Sequence, residues 1–125
     1  MINSFKQIFD LEIRFIEEIN GYGVFTREQI KKGDSVEKCL CIELKESEHI
    51  GGFWDYQFLH PVTKNKLIPL GYGCTYNHSD TPNLGWRPVT DRIIDFYAIR
   101  DIEPGEQLFH TYGELWWRSK EKKLL

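Results

Sequence analysis

Apolar and polar residues alternate along several short stretches of this chain, and a helical period is almost absent. In Leu11–Glu17, "LEIRFIE", the apolar Leu11, Ile13 and Phe15 are interleaved with Glu12 and Arg14. That alternation predicts a strand with one buried face. Asn20–Gly23, "NGYG", breaks it, and Val24-Phe25-Thr26 resumes an extended course. Thr26 and Gln29 have the spacing of a helix capping box, but Gly33 limits any helix there to about a turn or two. Ser35–Leu44 alternates again and predicts a second long strand. Ile93–Ile99 is rich in β-branched and aromatic residues and predicts a buried strand. Thr63–Lys66 predicts a turn between extended pieces, and Glu103–Glu106, "EPGE", a Pro-Gly turn. Residues 45–66 have no clean period, and their two adjacent glycines predict irregular structure. The tail from Glu114 is open between a short helix and a frayed end.

One internal echo stands out. "VFTREQIKKGDSV" (24–36) and "FYAIRDIEPGEQL" (96–108) both carry β-formers followed by Ile-x-x-Gly-acid at the same offset. Strand–turn–strand built twice is enough to explain it, since the echo is too short to define a repeat. The whole pattern predicts a mainly β domain of many short strands.

Composition narrows the class. A length of 125 residues fits a single domain over 1–125, with about 114–125 as an aromatic and basic tail. Hydrophobic residues make up 41% and charged residues 28%, which is globular rather than disordered. The net charge of −3 exerts no general pull on nucleic acid and suits a cationic partner such as a lysine-rich peptide. No apolar run has the length of a membrane span, and the N-terminus carries charges where a signal core would be apolar. With three cysteines a complete disulfide framework is excluded, so an intracellular, reducing setting is expected.

Four constellations can carry chemistry. Cys39, Cys41, Cys74 and His78 could supply four zinc ligands. However, a Cys-x-Cys pair on a regular strand is more often core packing than a zinc knuckle. His78, Ser79 and Asp80 are adjacent, which points three groups in different directions and makes a poor triad. "GYG" occurs at Gly21–Gly23 and at Gly71–Gly73, without the third glycine or long helix of a dinucleotide fingerprint. Such backbone either lets a ligand approach the main chain or simply ends a strand. The fourth is the ordered set of Gly21-Tyr22-Gly23, Asn77-His78-Ser79 with Pro82-Asn83, and Ile102–Gly113 containing Tyr112.

That set resembles the SET-domain family of S-adenosylmethionine-dependent protein-lysine methyltransferases. Asn77–Asn83 matches the family's Asn-His-Ser-x-x-Pro-Asn motif. Ile102, Gly105, Glu106, Leu108 and Tyr112 match its closing Ile-x-x-Gly-Glu-x-Leu-x-x-x-Tyr pattern, and Gly21-Tyr22-Gly23 its Gly-x-Gly. The size is that of a minimal viral or bacterial member. The resemblance implies several small curved β-sheets around a knot-like C-terminal core. It implies S-adenosylmethionine as cofactor, held by Gly21, Tyr22, Gly23, Asn77 and His78, with no metal ion. It implies Tyr112 as the catalytic tyrosine, also beside the cofactor, and a lysine-bearing protein or peptide as substrate.

Tyr56, Tyr76 and His110 are the expected walls of the lysine channel, with packing as the alternative for Tyr56 and a hydrogen-bonded core histidine as the alternative for His78. Trp116 or Trp117 either folds over the adenine, packs in the core or meets a second copy in a homodimer. His110-Thr111 departs from the aromatic-Asp pair common before the catalytic tyrosine. This leaves the number of methyl groups open, and leaves an inactive SET-like binding module as the alternative function.

Overall fold

The alternating segment Leu11–Ile16 forms strand β1, which turns through a short 3-10 segment into the antiparallel strand β2, Gly21–Thr26. Asn20 takes the left-handed conformation in the turn (φ 48°), a geometry Asn tolerates better than most residues. The computed structural model describes residues 9–48, 51 and 56–111. The remaining strands are β3 (Ser35–Leu44), β4 (Phe58–Leu59), β5 (Lys66–Pro69), β6 (Asn77–His78), β7 (Leu84–Pro88), β8 (Ile93–Ala98) and β9 (Phe109–His110). They make a five-stranded antiparallel sheet in the order β4-β5-β3-β8-β7, the β1-β2 hairpin, and a parallel pair β6-β9. Mainly β architecture in small sheets follows, as the alternation predicts.

Two local expectations need correction, and one strand carried no signal in the sequence. The apolar side of β1 is not a buried face: only Leu11 reaches the core, while Ile13 and Phe15 stay about half exposed. The hairpin is a two-stranded sheet whose far end runs past the core, so alternation there marks a strand without burying it. Thr26–Gln29 forms no helix, because the Thr26 hydroxyl accepts the Glu28 N–H and donates to the Glu28 carbonyl, closing a side-chain turn. Gln29 reaches instead to Glu103, 3.2 Å away. Finally, Leu84–Pro88 is a strand that Gly85 and Pro88 disguise; it lies at the sheet edge, where a terminal Pro is tolerated.

Strand β3 runs over the predicted Ser35–Leu44, but its alternation is interrupted. The register to β8 slips between Ser35 and Glu37, a bulge that turns Val36 and Glu37 inward one after the other. Glu37 thereby becomes a buried carboxylate. Its Oε1 accepts the Tyr76 hydroxyl at 2.6 Å and its Oε2 accepts the Tyr72 N–H at 3.0 Å. Gly71 is required beside it: it adopts φ 72°, and a Cβ there would lie 2.5 Å from Glu37 Oε2. The second Gly-Tyr-Gly therefore serves this carboxylate. A Tyr76→Phe variant leaves Oε1 one partner short and is expected to lose about 1–3 kcal/mol of stability in urea unfolding.

The internal echo has a structural counterpart. Ile30 and Ile102 exchange both backbone hydrogen bonds, at 2.9 and 2.8 Å. Gly33 N–H donates to Ala98, and Gly105 N–H to Thr26; Ala98 N–H donates to Asp34, and Thr26 N–H to Glu106. Each bond in one segment has its equivalent in the other, so the two stretches clasp each other about a local twofold. Both glycines have φ near 90° at the turn, which a side chain would strain. The clasp buries Val24, Ile30, Val36, Phe96, Ile102 and Leu108 at the centre of the core.

Candidate active site

Asn77-His78 and Phe109-His110 are polar or mixed pairs with no strand signal, yet they lie side by side as β6 and β9 in parallel register. The clamp that joins them is Asn83, which is 1% exposed. Its Nδ2 donates to the Gln107 carbonyl and its Oδ1 accepts the Phe109 N–H, both at 2.8 Å. The Asn83 N–H donates to the Phe109 carbonyl and the Ser79 N–H to the His110 carbonyl. Ser79, through its bond from the Thr81 N–H, helps turn the chain between the two contacts. The Asn-His motif is thus tied to the segment that leads to Tyr112. Nearby, Glu106 closes the Pro-Gly turn by accepting the Glu103 N–H, and the Arg100 guanidinium holds its carboxyl below the usual carboxylate range.

An open groove of about 400 Å³ lies along this seam, lined by Ile16, Ile19, Asn77, His78, Gln107 and Phe109. Strand β2 lies against two of its lining residues, Gln107 and Ile16. A Cβ at Gly23 would stand 2.5 Å from Gln107 Oε1 and 2.9 Å from Ile16 Cδ1, so glycine lets both side chains close over the strand. Asn77 Nδ2 donates to the Tyr22 carbonyl at 3.0 Å and to Gln107 Oε1 at 2.8 Å. The Gly-x-Gly and Asn-His motifs therefore meet, with Gly21, Tyr22 and Gly23 on β2 against Asn77. Tyr22's side chain itself turns outward and packs edge-on against Phe15. His78 Nε2 lies 2.9 Å from Asp80 Oδ1, but Asp80 is almost fully exposed, so the contact holds the ring weakly.

His110 is 5% exposed, with its ring stacked on Phe58 at 5.4 Å and edge-on to Phe96 at 6.0 Å. Burial pushes its pKa down to about 4, and Nδ1 lies 3.1 Å from the Thr111 carbonyl. The ring is thus a neutral aromatic at physiological pH. In the unfolded chain it takes up a proton near pH 6.5, so stability present at neutral pH falls as pH drops from about 6.5 towards 4. Between pH 7 and pH 5 the expected loss is about 2 kcal/mol, and His110→Phe should flatten that slope in chemical denaturation.

Tyr76 is buried, its ring 4.9 Å from Phe96 and its hydroxyl committed to Glu37. Tyr56 is about half exposed. Between Tyr56 and Phe58, the buried Gln57 Oε1 has no hydrogen-bond partner among the described residues. Tyr112, Trp116 and Trp117 lie outside the described residues.

The four candidate zinc ligands do not converge. Cys39 and Cys41 pack in the core, and the Cys74 thiol donates to the Pro69 carbonyl at 3.2 Å. Burial pushes the Cys41 thiol up to about 12 and the Cys74 thiol up to about 11, away from the thiolate a metal needs. Among the described residues no three His, Cys, Asp or Glu side chains gather as a metal site. Ser79 and Asp80 likewise form no relay: the serine engages Thr81 and the aspartate His78.

Gln107 belongs to the site although it occupies a variable position of the closing pattern, where nothing in the local sequence distinguishes it. Asn83's role as a clamp was equally silent, since a Pro-Asn pair reads as a turn.

A family model described as the SET domain matches residues 21–113. A histone-lysine N-methyltransferase, H3 lysine-37 specific, from Schizosaccharomyces pombe (strain 972 / ATCC 24843) is 32% identical over 117 residues, covering 89% of this chain and 78% of the relative. The crystal structure of a candidate histone methyltransferase from Plasmodium falciparum superposes with a TM-score of 0.73 at 30% identity, covering 90% of this chain and 99% of that one.

Proposed function

The chain belongs to the SET-domain family, and from that premise we propose that it transfers a methyl group from S-adenosylmethionine to the side-chain amine of a protein lysine. The observation that carries this reading is the seam itself: the Asn-His strand, the Gly-x-Gly strand and the segment leading to Tyr112 meet along one groove. The groove fits the cofactor in kind. Its volume of about 400 Å³ falls within the roughly 300–1,000 Å³ of small-molecule sites. Its lining offers apolar surface from Ile16, Ile19 and Phe109 and polar groups from Asn77, His78 and Gln107.

Bound S-adenosylmethionine supplies an electrophilic methyl on a positive sulfur. The chain must deliver a neutral amine, because an ammonium has no lone pair and a free lysine has a pKa of about 10.4. An apolar channel lowers that value by penalising the charged form. Phe58, Phe96 and the neutral His110 form an aromatic cluster suited to such a wall, and Tyr56 and Tyr76 flank it in sequence or in space. Tyr112 orients the amine through its hydroxyl, and no dedicated base is needed when water can take the proton. Alignment of this kind is worth several kcal/mol of barrier. Residues 1–125 act as one unit, in an intracellular setting.

Histones are the first substrates to test, given what the relatives are named for. Purified protein incubated with methyl-labelled S-adenosylmethionine and a histone panel should label lysine. Absence of transfer to histones and to other lysine-bearing proteins, with no cofactor binding, would sink the proposal. Cofactor binding without transfer would favour the inactive module that His110-Thr111 suggests.

A further inference from the structure

We infer that Gln107 is a positioning residue that turns the Asn77 carboxamide so that its oxygen receives the amino group of the cofactor. This rests on the S-adenosylmethionine reading above and deepens it. A carboxamide has a donor end and an acceptor end of almost the same shape, so its neighbours must choose which end faces a ligand. At Asn77 the choice is unambiguous. The Tyr22 carbonyl can only accept, and it lies 3.0 Å from Nδ2. Gln107 Oε1 takes a second bond from the same nitrogen at 2.8 Å. Both amide hydrogens are then used, and Oδ1 is left with no protein partner among the described residues, on a side chain that lines the groove.

An oxygen presented in this way accepts and cannot donate. It suits an ammonium, which carries only donors, and is repelled by a carboxylate. Within an amino-acid moiety it therefore selects the amino end. The placement of Gln107 is itself constrained, because any side chain at Gly23 would overlap its carboxamide. Gly23 thus does more than admit a ligand to the backbone: it makes room for the residue that sets the polarity of Asn77. Without the Gln107 acceptor one Asn77 hydrogen loses its partner. The Tyr22 carbonyl then holds the amide alone, and the nitrogen can spend its second hydrogen on the ligand in the wrong sense.

The test is calorimetric titration of the full chain with S-adenosylhomocysteine and with its analogue lacking the α-amino group. Gln107→Leu is expected to weaken S-adenosylhomocysteine about tenfold, the factor for one hydrogen bond, and to change the deamino analogue by less than about twofold. Gln107→Glu, whose carboxylate accepts the same bond, is expected to bind S-adenosylhomocysteine within about threefold of wild type. An equal loss for both ligands would assign Gln107 a merely structural role, and no loss at all would remove it from the site; either result overturns the inference. Should Gln107→Leu unfold below the assay temperature, Gln107→Met makes the same comparison. Wild-type protein that binds neither ligand would refute the cofactor reading, visibly in the wild-type titration alone, and the inference with it.

Discussion

An Asn83→Leu variant is expected to lose about 2–5 kcal/mol of folding stability, because two backbone groups lose the partner that the carboxamide supplies. The Gln107 carbonyl and the Phe109 N–H are both bonded to that one side chain at 2.8 Å, and Asn83 is 1% exposed, so water cannot replace it without opening the core. Leucine fills a similar volume, which separates the hydrogen-bond loss from a cavity effect. Set against the roughly 5–15 kcal/mol that holds a typical domain together, this is a large share. The urea midpoint should fall with an unchanged slope, as expected when stability changes and compactness does not. Affinity for S-adenosylhomocysteine should fall as well, since the same side chain ties β9 to the turn after β6 and so holds Asn77 over the groove. A loss below about 1 kcal/mol would mean that the β6-β9 pair is held by its backbone bonds alone.

Replacing Tyr112 with Phe is expected to reduce turnover by about a hundredfold or more while leaving cofactor affinity within about twofold. The proposed role of the hydroxyl is to orient a neutral amine for in-line attack, an interaction made as the reaction proceeds and hardly at all in binding. Its removal should therefore lower kcat and kcat/KM together. Single-turnover labelling with excess enzyme isolates the methyl-transfer step from product release. Turnover equal to wild type would show that another group aligns the amine, and the hydroxyls of Tyr56 and Tyr76 would be next. Of these, Tyr76 already spends its hydroxyl on Glu37, which leaves Tyr56 as the better substitute.

Ser35–Leu44 and the body of Ile93–Ile99 were legible as strands because alternation and β-branching are properties of neighbouring residues. The Pro-Gly turn at Glu103–Glu106 was legible for the same reason. Where alternation misled, the cause was long-range. Ile13 and Phe15 alternate correctly but face solvent, because no other described element covers that end of the hairpin. Val36 and Glu37 break the period because the pairing of β3 with β8 carries a bulge there. Leu84–Pro88 was hidden by glycine and proline, which an edge position accepts and a central one would not.

The site divides along the same line. The chain's own order of residues was enough to identify the three motif segments, the family they belong to and the chemistry they imply, since these depend on residue identity and spacing. What only the tertiary structure decided is how the segments face one another. Residues some thirty positions apart, Asn77 and Gln107, become hydrogen-bond partners. A buried asparagine joins two strands too short to show an alternating pattern, and His110 becomes a neutral aromatic. Local patterning reports what each stretch of backbone prefers. Which polar groups find each other once water is excluded is set by the packing of the whole chain, because an unpaired group in the interior costs more than any local preference can offset.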